Sequence, residues 1–329
     1  MKKLLSFITL LFIVLIYHNE VIIGVKNGLL LWYQSLIPAL LPFIIITNAL
    51  SETHSYDIIA LRLQNKINNI YILIAILLGN LCGYPIGAKI INDFTESGHI
   101  TPHKANSYLA SASQASPMFL LGFVYPMLPS DIIPVHIFFL FIYLPVILLS
   151  LVLQLSENDT LGSTRHSHFS SPCKYGNHTD LCASPSETKP HHTTCSHQEK
   201  DSMDAACNVS ESFLHATCIM VIIGIYVIIF SVLLSILIPH ASTTTSKCML
   251  SMLEITTGLK LLNSLHLSTR AYVCLILFLS SFGGLSTAFQ IKAVATYKNS
   301  SIKKYLRDKI ILSAGTLILT YIYLTLKYI

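Results

Sequence analysis

Charged side chains are scarce in this chain: Lys, Arg, Asp and Glu make up 11% of its 329 residues, whereas hydrophobic residues make up 53%. The mean hydropathy is +0.62. A soluble domain of this composition could not keep its apolar residues off the surface. The composition therefore predicts an integral membrane protein, with the lipid bilayer as its surroundings.

Several catalytic signatures are also missing. The sequence contains no G-x-x-x-x-G-K-[ST] loop for nucleotide phosphates, no H-E-x-x-H pair for a catalytic zinc ion and no C-x-x-C pair. We therefore expect no enzyme activity, no cofactor, no metal at the functional site and no nucleic-acid partner.

Long apolar runs are abundant instead. A bilayer core about 30 Å thick needs roughly 20 apolar residues as a helix, and about eight segments qualify, which predicts an all-α polytopic membrane protein. These segments are Leu4–Gly24, Gly28–Leu50, Ile70–Ile90, Ala105–Leu128, Ile132–Leu155, Phe213–Ile238, Ala271–Ile291 and Tyr305–Leu326. Lys2 and Lys3 precede the first segment, and no small-x-small cleavage site follows it. We interpret it as a retained helix with a cytoplasmic N-terminus.

A polar stretch separates the apolar segments into two groups. Residues 156–212 hold eight of the sixteen acidic residues and only four basic ones. We therefore divide the chain into an N-terminal membrane half (1–155), a polar loop (156–212) and a C-terminal membrane half (213–329). The polar loop is expected to be disordered over much of its length.

The polar loop is rich in histidine and cysteine. Its densest group is His191, His192, Cys195 and His197, whose imidazole and thiolate groups are ligands that zinc and copper prefer. The four cysteines of the loop are, however, separated by eight to twelve residues. A solvated, variable loop is the favoured interpretation, and a metal site or a disulfide outside the cytosol are the alternatives.

Positive charge bears on topology. The stretch Lys292–Lys309 has six basic residues and one acidic residue, so it should face the cytosol, on the opposite side from the acidic loop. Eight full crossings from a cytoplasmic N-terminus would place it outside. An odd number of segments must therefore fail to cross, or one crossing has been missed. The best candidates lie in Ala105–Leu155, where the helix pattern is interrupted by Pro117, Pro126, Pro129, Pro134 and Pro145.

The motif "GYPIGAK", which begins at Gly83, interrupts the third apolar segment. Pro85 cannot donate a backbone hydrogen bond, and Gly83 and Gly87 lower the cost of leaving helical geometry. In a bilayer such a break is tolerated only inside the protein or beside a water-filled cavity. We expect the half-helix beginning near Ile86 to aim its N-terminal amides, together with Lys89, at an anion site. The alternative is that Lys89 snorkels to the interface and the glycines permit close helix packing.

A similar pattern recurs in the second half. At an offset of 201 residues, Gly83 aligns with Gly284 and Lys89 with Gln290. Paired, interrupted segments in two weakly similar halves point to the central binding site of a transporter. The second half, with "GGLSTAFQ", offers neutral hydrogen-bonding groups and no matching cation. The candidate substrate-binding residues are Gly83, Tyr84, Pro85, Gly87, Lys89, Ser113, Gln114, Ser116, Pro117, Gly284, Ser286, Thr287 and Gln290.

A family resemblance rests on the same motifs. "GYPIGAK" followed by "ASPMFLLG", with "EITTGLKLL" and "GGLSTAFQ" in the second half, resembles the YlbJ-type sporulation integral membrane proteins, relatives of the nucleoside-recognition (Gate) domain membrane proteins. The resemblance runs in order from about Gly28 to Ala314 and leaves out the polar loop. Two features depart from it: family members usually have asparagine where this chain has Gln114 and Ala115, and the His/Cys-rich loop is an insert.

The resemblance implies a function and a place. It implies broken or re-entrant helices with an architecture similar to that of concentrative nucleoside transporters, in the outer forespore membrane of a spore-forming bacterium. The substrate would be dipicolinic acid, a small organic anion, and other sporulation membrane proteins are possible partners. A non-transporting scaffold and a nucleoside-type solute transporter are the alternatives. An intramembrane hydrolase would need a catalytic constellation that the sequence lacks.

Overall fold

The computed structural model describes residues 2–52, 55–63, 69–130, 132–160 and 197–327, which form helices and connecting turns without any β-strand. The all-α fold is thus confirmed for this part of the chain. The helices before the polar loop are α1 (Lys2–Ile16), α2 (His18–Leu31), α3 (Ile37–Glu52), α4 (Ser55–Leu63), α5 (Ile70–Cys82), α6 (Ile86–Glu96), α7 (Pro102–Tyr108), α8 (Pro117–Phe119) and α9 (Val135–Thr160). Those after it are α10 (His197–Leu237), α11 (Thr244–Leu250), α12 (Ile255–Asn263), α13 (Thr269–Phe282), α14 (Gly284–Val294) and α15 (Ile302–Lys327).

Five stretches of the described residues are long and apolar enough to cross a membrane, by length and composition. They are His18–Leu50, Val135–Ser156, Ala216–His240, Thr269–Val294 and Ile302–Lys327. The protein therefore has the helices of a multi-pass integral membrane protein. The other three predicted segments contain only shorter apolar helices, at Phe7–Ile16, Ile70–Cys82 and Pro117–Met127.

Helices α2 and α10 pack as a close antiparallel pair. A side chain at Gly24 or Gly28 would collide with the α10 backbone, since a Cβ on Gly28 would lie 2.8 Å from the Cα of Ile228. The ring centroids of Tyr17 and His240 are 5.8 Å apart at one end of the pair. Small residues thus let the two backbones approach. The predicted boundary between the first two segments, at Gly24–Gly28, is wrong, because the helix break lies at Tyr17.

Helices α9 and α15 form a second antiparallel pair. The rings of Phe141 and Tyr323 are 5.5 Å apart, and Lys327 Nζ donates to the carbonyl of Ile132 at 2.9 Å. Pro145 lies inside α9 without ending it. The expectation that this proline interrupts the segment is therefore wrong.

The third predicted segment forms a re-entrant hairpin. Helices α5 and α6 lie side by side, so the rings of Tyr71 and Phe94 are 5.1 Å apart at its open end. Each arm is at most about 20 Å long at 1.5 Å per residue, too short to span the bilayer core. Ile70–Ile90 therefore returns to the end at which it begins, whereas the sequence led us to expect the return within Ala105–Leu155.

Helices α7 and α8 belong to one broken crossing. Near its start, Asn106 Nδ2 donates to the carbonyl of Asn299 at 2.8 Å. Near its finish, the carbonyl of Met127 accepts a hydrogen bond from Tyr272 OH at 2.9 Å. Between these ends the chain is non-helical over residues 113–116, before α8, a π-helical turn and a 3₁₀ turn complete the crossing.

The second half repeats this plan in the opposite direction. Helices α11 and α12 form a hairpin in which Gly258 packs against the backbone of Ser251. Helices α13 and α14 form a crossing broken at Gly283. Each half thus contains a span, a hairpin, a broken crossing and a span. Because the hairpins enter from opposite ends, the halves form an inverted repeat, an arrangement found in many secondary transporters.

The polar loop and the basic stretch lie at the same end of the bundle. Ser301 N donates to Asn106 Oδ1 at 2.9 Å just before α15 begins, and α9, antiparallel to α15, leads into residues 161–196 at that end. We call it the loop end. Burial raises the pKa of Tyr297 to about 12 there, which leaves the hydroxyl neutral. The predicted opposite placement of loop and basic stretch is wrong.

The helices also extend into the polar loop from both sides. Helix α9 continues to Thr160 and α10 begins at His197, so both flanks of the 156–212 segment are helical. The cluster formed by His191, His192 and Cys195 lies outside the described residues. The metal and disulfide alternatives for the loop therefore stay predictions.

Candidate functional site

Four helix interruptions meet in the middle of the bundle. In the first half, Tyr84 N at the hairpin tip donates to the carbonyl of Gln114 at 3.0 Å. In the second half, Leu285 N donates to the carbonyl of Met252 at 2.9 Å. Each hairpin tip is therefore tied to the broken crossing of its own half. Backbone groups released by the breaks find partners there, as they must in a bilayer.

Glycine and proline make these breaks possible. Gly83 and Gly283 have φ of 88° and 84°, in the left-handed region that residues with a Cβ avoid. Pro85 caps α6 and has no N–H to donate. Ser116 closes the non-helical stretch by accepting a hydrogen bond from Phe119 N at 3.2 Å, which caps α8.

A buried glutamate organises the second hairpin. Glu254 is 1% exposed, and its Oε2 accepts hydrogen bonds from Thr257 N at 2.7 Å and from the hydroxyls of Thr256 and Thr257 at 2.6 Å. It caps α12, where the N-terminus of a helix favours a negative charge. The charge of Glu254 is thus compensated within its own hairpin.

A buried lysine joins the two halves. Lys309, on α15, is fully buried. Its Nζ donates to Gln114 Oε1 at 2.8 Å and to the carbonyl of Ser281 at 2.9 Å. The Ser281 carbonyl is free to accept because Leu285 N, its partner in an unbroken helix, bonds to Met252 instead. Lys309 therefore connects the interruption of the first half with that of the second.

Several polar atoms around Lys309 lack partners. Among the described residues, the buried atoms without a hydrogen bond include Gln114 Nε2, Ser113 Oγ, Ser281 Oγ and Tyr84 OH. The carboxylate of Glu254 lies close enough to the hydroxyl of Tyr84 to interact with it electrostatically. Buried polar groups are satisfied in the great majority of cases, so this cluster marks a place built for a further hydrogen-bonding species.

The predicted residues of α14 are buried beside the second break. Thr287 Oγ1 donates to the carbonyl of Gly284 at 2.7 Å, and Gln290 Nε2 donates to Ser286 Oγ at 3.1 Å. A Cβ on Gly283 would lie 2.9 Å from Thr287 Oγ1 and 3.5 Å from the Tyr84 ring. The tip of the first hairpin therefore approaches the break of the second half.

Lys89 does not supply the cation expected at the first break. Its Nζ forms an ion pair with Asp93 Oδ2 at 3.1 Å, one turn further along α6, and its side chain is 25% exposed. The expectation that Lys89 directs an uncompensated charge at the break is thus wrong. Gly87 has a packing role, since it touches the carbonyl of Ala112.

Lys309 is not among the residues predicted for the site, because it lies on α15, outside the "GGLSTAFQ" stretch, which has no cation matching Lys89. Lys309 is the last of six basic residues in the stretch that begins at Lys292, so it was counted with the cytosolic charges. One signal was available: the predicted segment Tyr305–Leu326 already contains Lys309, which places this lysine inside an apolar segment rather than before it.

The space beside the first break is small. A cleft of about 20 Å³ is lined by residues that include Gly83, Tyr84, Ala115 and Ser116, which is enough for one water molecule. This cleft is too small for an organic solute.

The described residues contain no group of three or more His, Cys, Asp or Glu side chains arranged to hold a metal ion. Comparison of the chain with protein-family models, curated proteins and solved structures finds no match. The family resemblance therefore rests on the sequence motifs alone.

Proposed function

We propose that this protein is a membrane transporter for a small organic anion, with dipicolinic acid as the substrate implied by the family resemblance. On the same basis, it would act in spore formation, in the outer forespore membrane. The observation that carries the transport proposal is the inverted repeat, whose hairpin tips and broken crossings converge on one buried polar cluster. Transporters with inverted repeats bind their substrates at such interruptions.

The unpaired polar groups favour transport over a scaffold. Leaving a buried donor or acceptor unsatisfied costs about 1–3 kcal/mol, and Gln114, Ser113 and Ser281 each carry such an atom within the described residues. A protein that only assembles other sporulation proteins gains nothing from these costs. A protein that binds and releases a polar solute uses them, because the solute satisfies them only while it is bound.

The closed cleft is consistent with alternating access. A solute that binds among the interruptions must first separate the hairpin tip at Tyr84 from the segment at Gln114. The tip is held by the backbone hydrogen bond of 3.0 Å from Tyr84 N, and the arm behind it by Asn80 Nδ2, which donates to the carbonyl of Ser111 at 3.1 Å; each bond is worth only about 0.5–1.5 kcal/mol net. A ligand with a modest preference for the open conformation can therefore shift the population toward it.

Uptake by purified full-length protein in liposomes tests the proposal. We expect saturable accumulation of radiolabelled dipicolinate, absent from protein-free liposomes and not inhibited by uridine. Uridine uptake without dipicolinate uptake would instead identify a nucleoside-type transporter. No uptake of either solute by correctly folded protein, together with a spore defect on gene deletion, would support the scaffold.

A further inference from the structure

The side chain of Lys309 is hydrogen-bonded but forms no ion pair in the described part of the chain. Both of its partners, Gln114 Oε1 and the Ser281 carbonyl, are neutral. Within the described residues, no carboxylate oxygen lies within salt-bridge distance of its Nζ. Burying an ammonium group without a counter-charge is expensive. An anion that binds beside Lys309 would remove that cost.

Three acidic groups of the described helices are already engaged elsewhere. The carboxylate of Asp308 pairs with Arg307 at 2.8 Å, and Glu254 is held by three donors at the N-terminus of α12. Asp93 pairs with Lys89. None of these three carboxylates therefore forms an ion pair with Lys309.

The unpaired atoms around Lys309 are mostly donors. Lys309 has three N–H groups and uses two; Gln114 Nε2 can only donate, and it belongs to a fully buried side chain. The hydroxyls of Ser113 and Ser281, also fully buried and unpaired in the described chain, can donate as well. A carboxylate offers two oxygens with about four acceptor sites, which matches this surplus.

We propose that Lys309 and Gln114 form the carboxylate-binding subsite of this protein, so that Lys309 rather than Lys89 selects anionic over neutral solutes. This subsite deepens the proposed function, since it names the groups that recognise the anion. The carboxylate takes the third N–H of Lys309 and one N–H of Gln114 Nε2. Charge-assisted hydrogen bonds of this kind are about twice as strong as neutral ones.

Ligand binding to the purified full-length protein in detergent tests the subsite without requiring transport. The probes are dipicolinate and its neutral analogue pyridine-2,6-dicarboxamide, and the readout is the rise in melting temperature with probe concentration. Dipicolinate should stabilise the wild-type protein, and the dicarboxamide should not. Lys309→Met should raise the half-maximal dipicolinate concentration at least tenfold, whereas Lys89→Met, the matched control, should leave it unchanged.

A second variant keeps the test valid if Lys309→Met does not fold. Gln114→Glu places a carboxylate 2.8 Å from Lys309 Nζ in the geometry of the present hydrogen bond. This internal counter-charge should raise the melting temperature without ligand and abolish the response to dipicolinate.

Three results would overturn the subsite: no stabilisation of the wild-type protein by dipicolinate, equal stabilisation by the dicarboxamide, or an unchanged dipicolinate response in Gln114→Glu. Dipicolinate binding that depends on Lys309, without uptake in liposomes, would leave the subsite standing and refute transport. The two proposals can therefore fail separately.

Discussion

The substitution Gly87→Ala distinguishes a hairpin from a continuous membrane helix, because it should destabilise a hairpin and stabilise a continuous helix. A Cβ on Gly87 would overlap the carbonyl oxygen of Ala112 and lie 2.7 Å from its carbonyl carbon. The same Cβ would approach the Cα of Gly79, on the other arm, to 3.0 Å. All of these obstacles are backbone atoms, so no side-chain rotation can make room.

The size of the stability change caused by Gly87→Ala follows from two opposing effects. Overpacking typically costs about 1–3 kcal/mol, and a rigid backbone obstacle places Gly87 near the upper value. Replacing glycine by alanine within a helix returns up to about 1 kcal/mol. The net loss of stability is about 2 kcal/mol, which lowers the melting temperature of a chain of this length by about 3 °C. In a continuous helix Gly79 and Gly87 would not meet, and the substitution would be stabilising.

The assay is the melting temperature of the purified protein in detergent, followed by loss of the monodisperse peak after heating. Gly122→Ala is the matched control, because a Cβ there meets nothing within 4 Å, and its melting temperature should stay level or rise. A Gly87→Ala protein as stable as wild type would refute the packing of the hairpin.

Two other predictions concern topology and the α2–α10 pair. Arg62→Cys and Ser97→Cys, each made in an otherwise cysteine-free protein, place a thiol on either flank of the hairpin. Both should be labelled from the same side of the membrane, and Ser130→Cys should be labelled from the other side. Labelling of Arg62→Cys and Ser97→Cys from opposite sides would mean that the segment crosses. Trp32, the single tryptophan, lies on Gly224, where a Cβ would come 2.7 Å from the indole ring. Gly224→Val should therefore shift its fluorescence to longer wavelength, and an unchanged spectrum would contradict this contact.

The sequence could predict the membrane class, the helix breaks and several of the residues that meet at those breaks. Five of the predicted segments correspond to helices of spanning length, because length and hydropathy are local properties of the chain. The half-helix expected near Ile86 does begin at Ile86. Gly83, Tyr84, Gln114 and Ser116 do come together, because breaks in a bilayer must satisfy their backbone groups with one another.

The direction of the chain after a break could not be predicted. Gly83, Tyr84 and Pro85 permit either a broken crossing or a return to the same end. What decides is packing between the arms, such as the 5.1 Å ring contact of Tyr71 with Phe94, and that contact has no local signature. With one return among the eight predicted segments, six crossings separate the N-terminus from Lys292 if α1 crosses, which puts the N-terminus and Lys292 on the same side of the membrane.

The direction of the hairpins changes which residues correspond between the halves, and this can be tested. In the structure, the α5–α6 hairpin corresponds to the α11–α12 hairpin. This is an offset of 171 residues, which aligns Gly87 with Gly258. The offset of 201 residues predicted from the sequence aligns Gly87 with Ala288 instead. A Cβ on Gly258 would overlap the carbonyl oxygen of Ser251, as one on Gly87 would overlap that of Ala112. If close packing at this position belongs to the repeat, Gly258→Ala should lower the melting temperature by about 3 °C, from the same estimated overpacking and propensity terms. A stable Gly258→Ala protein would show that the two hairpins do not share this contact.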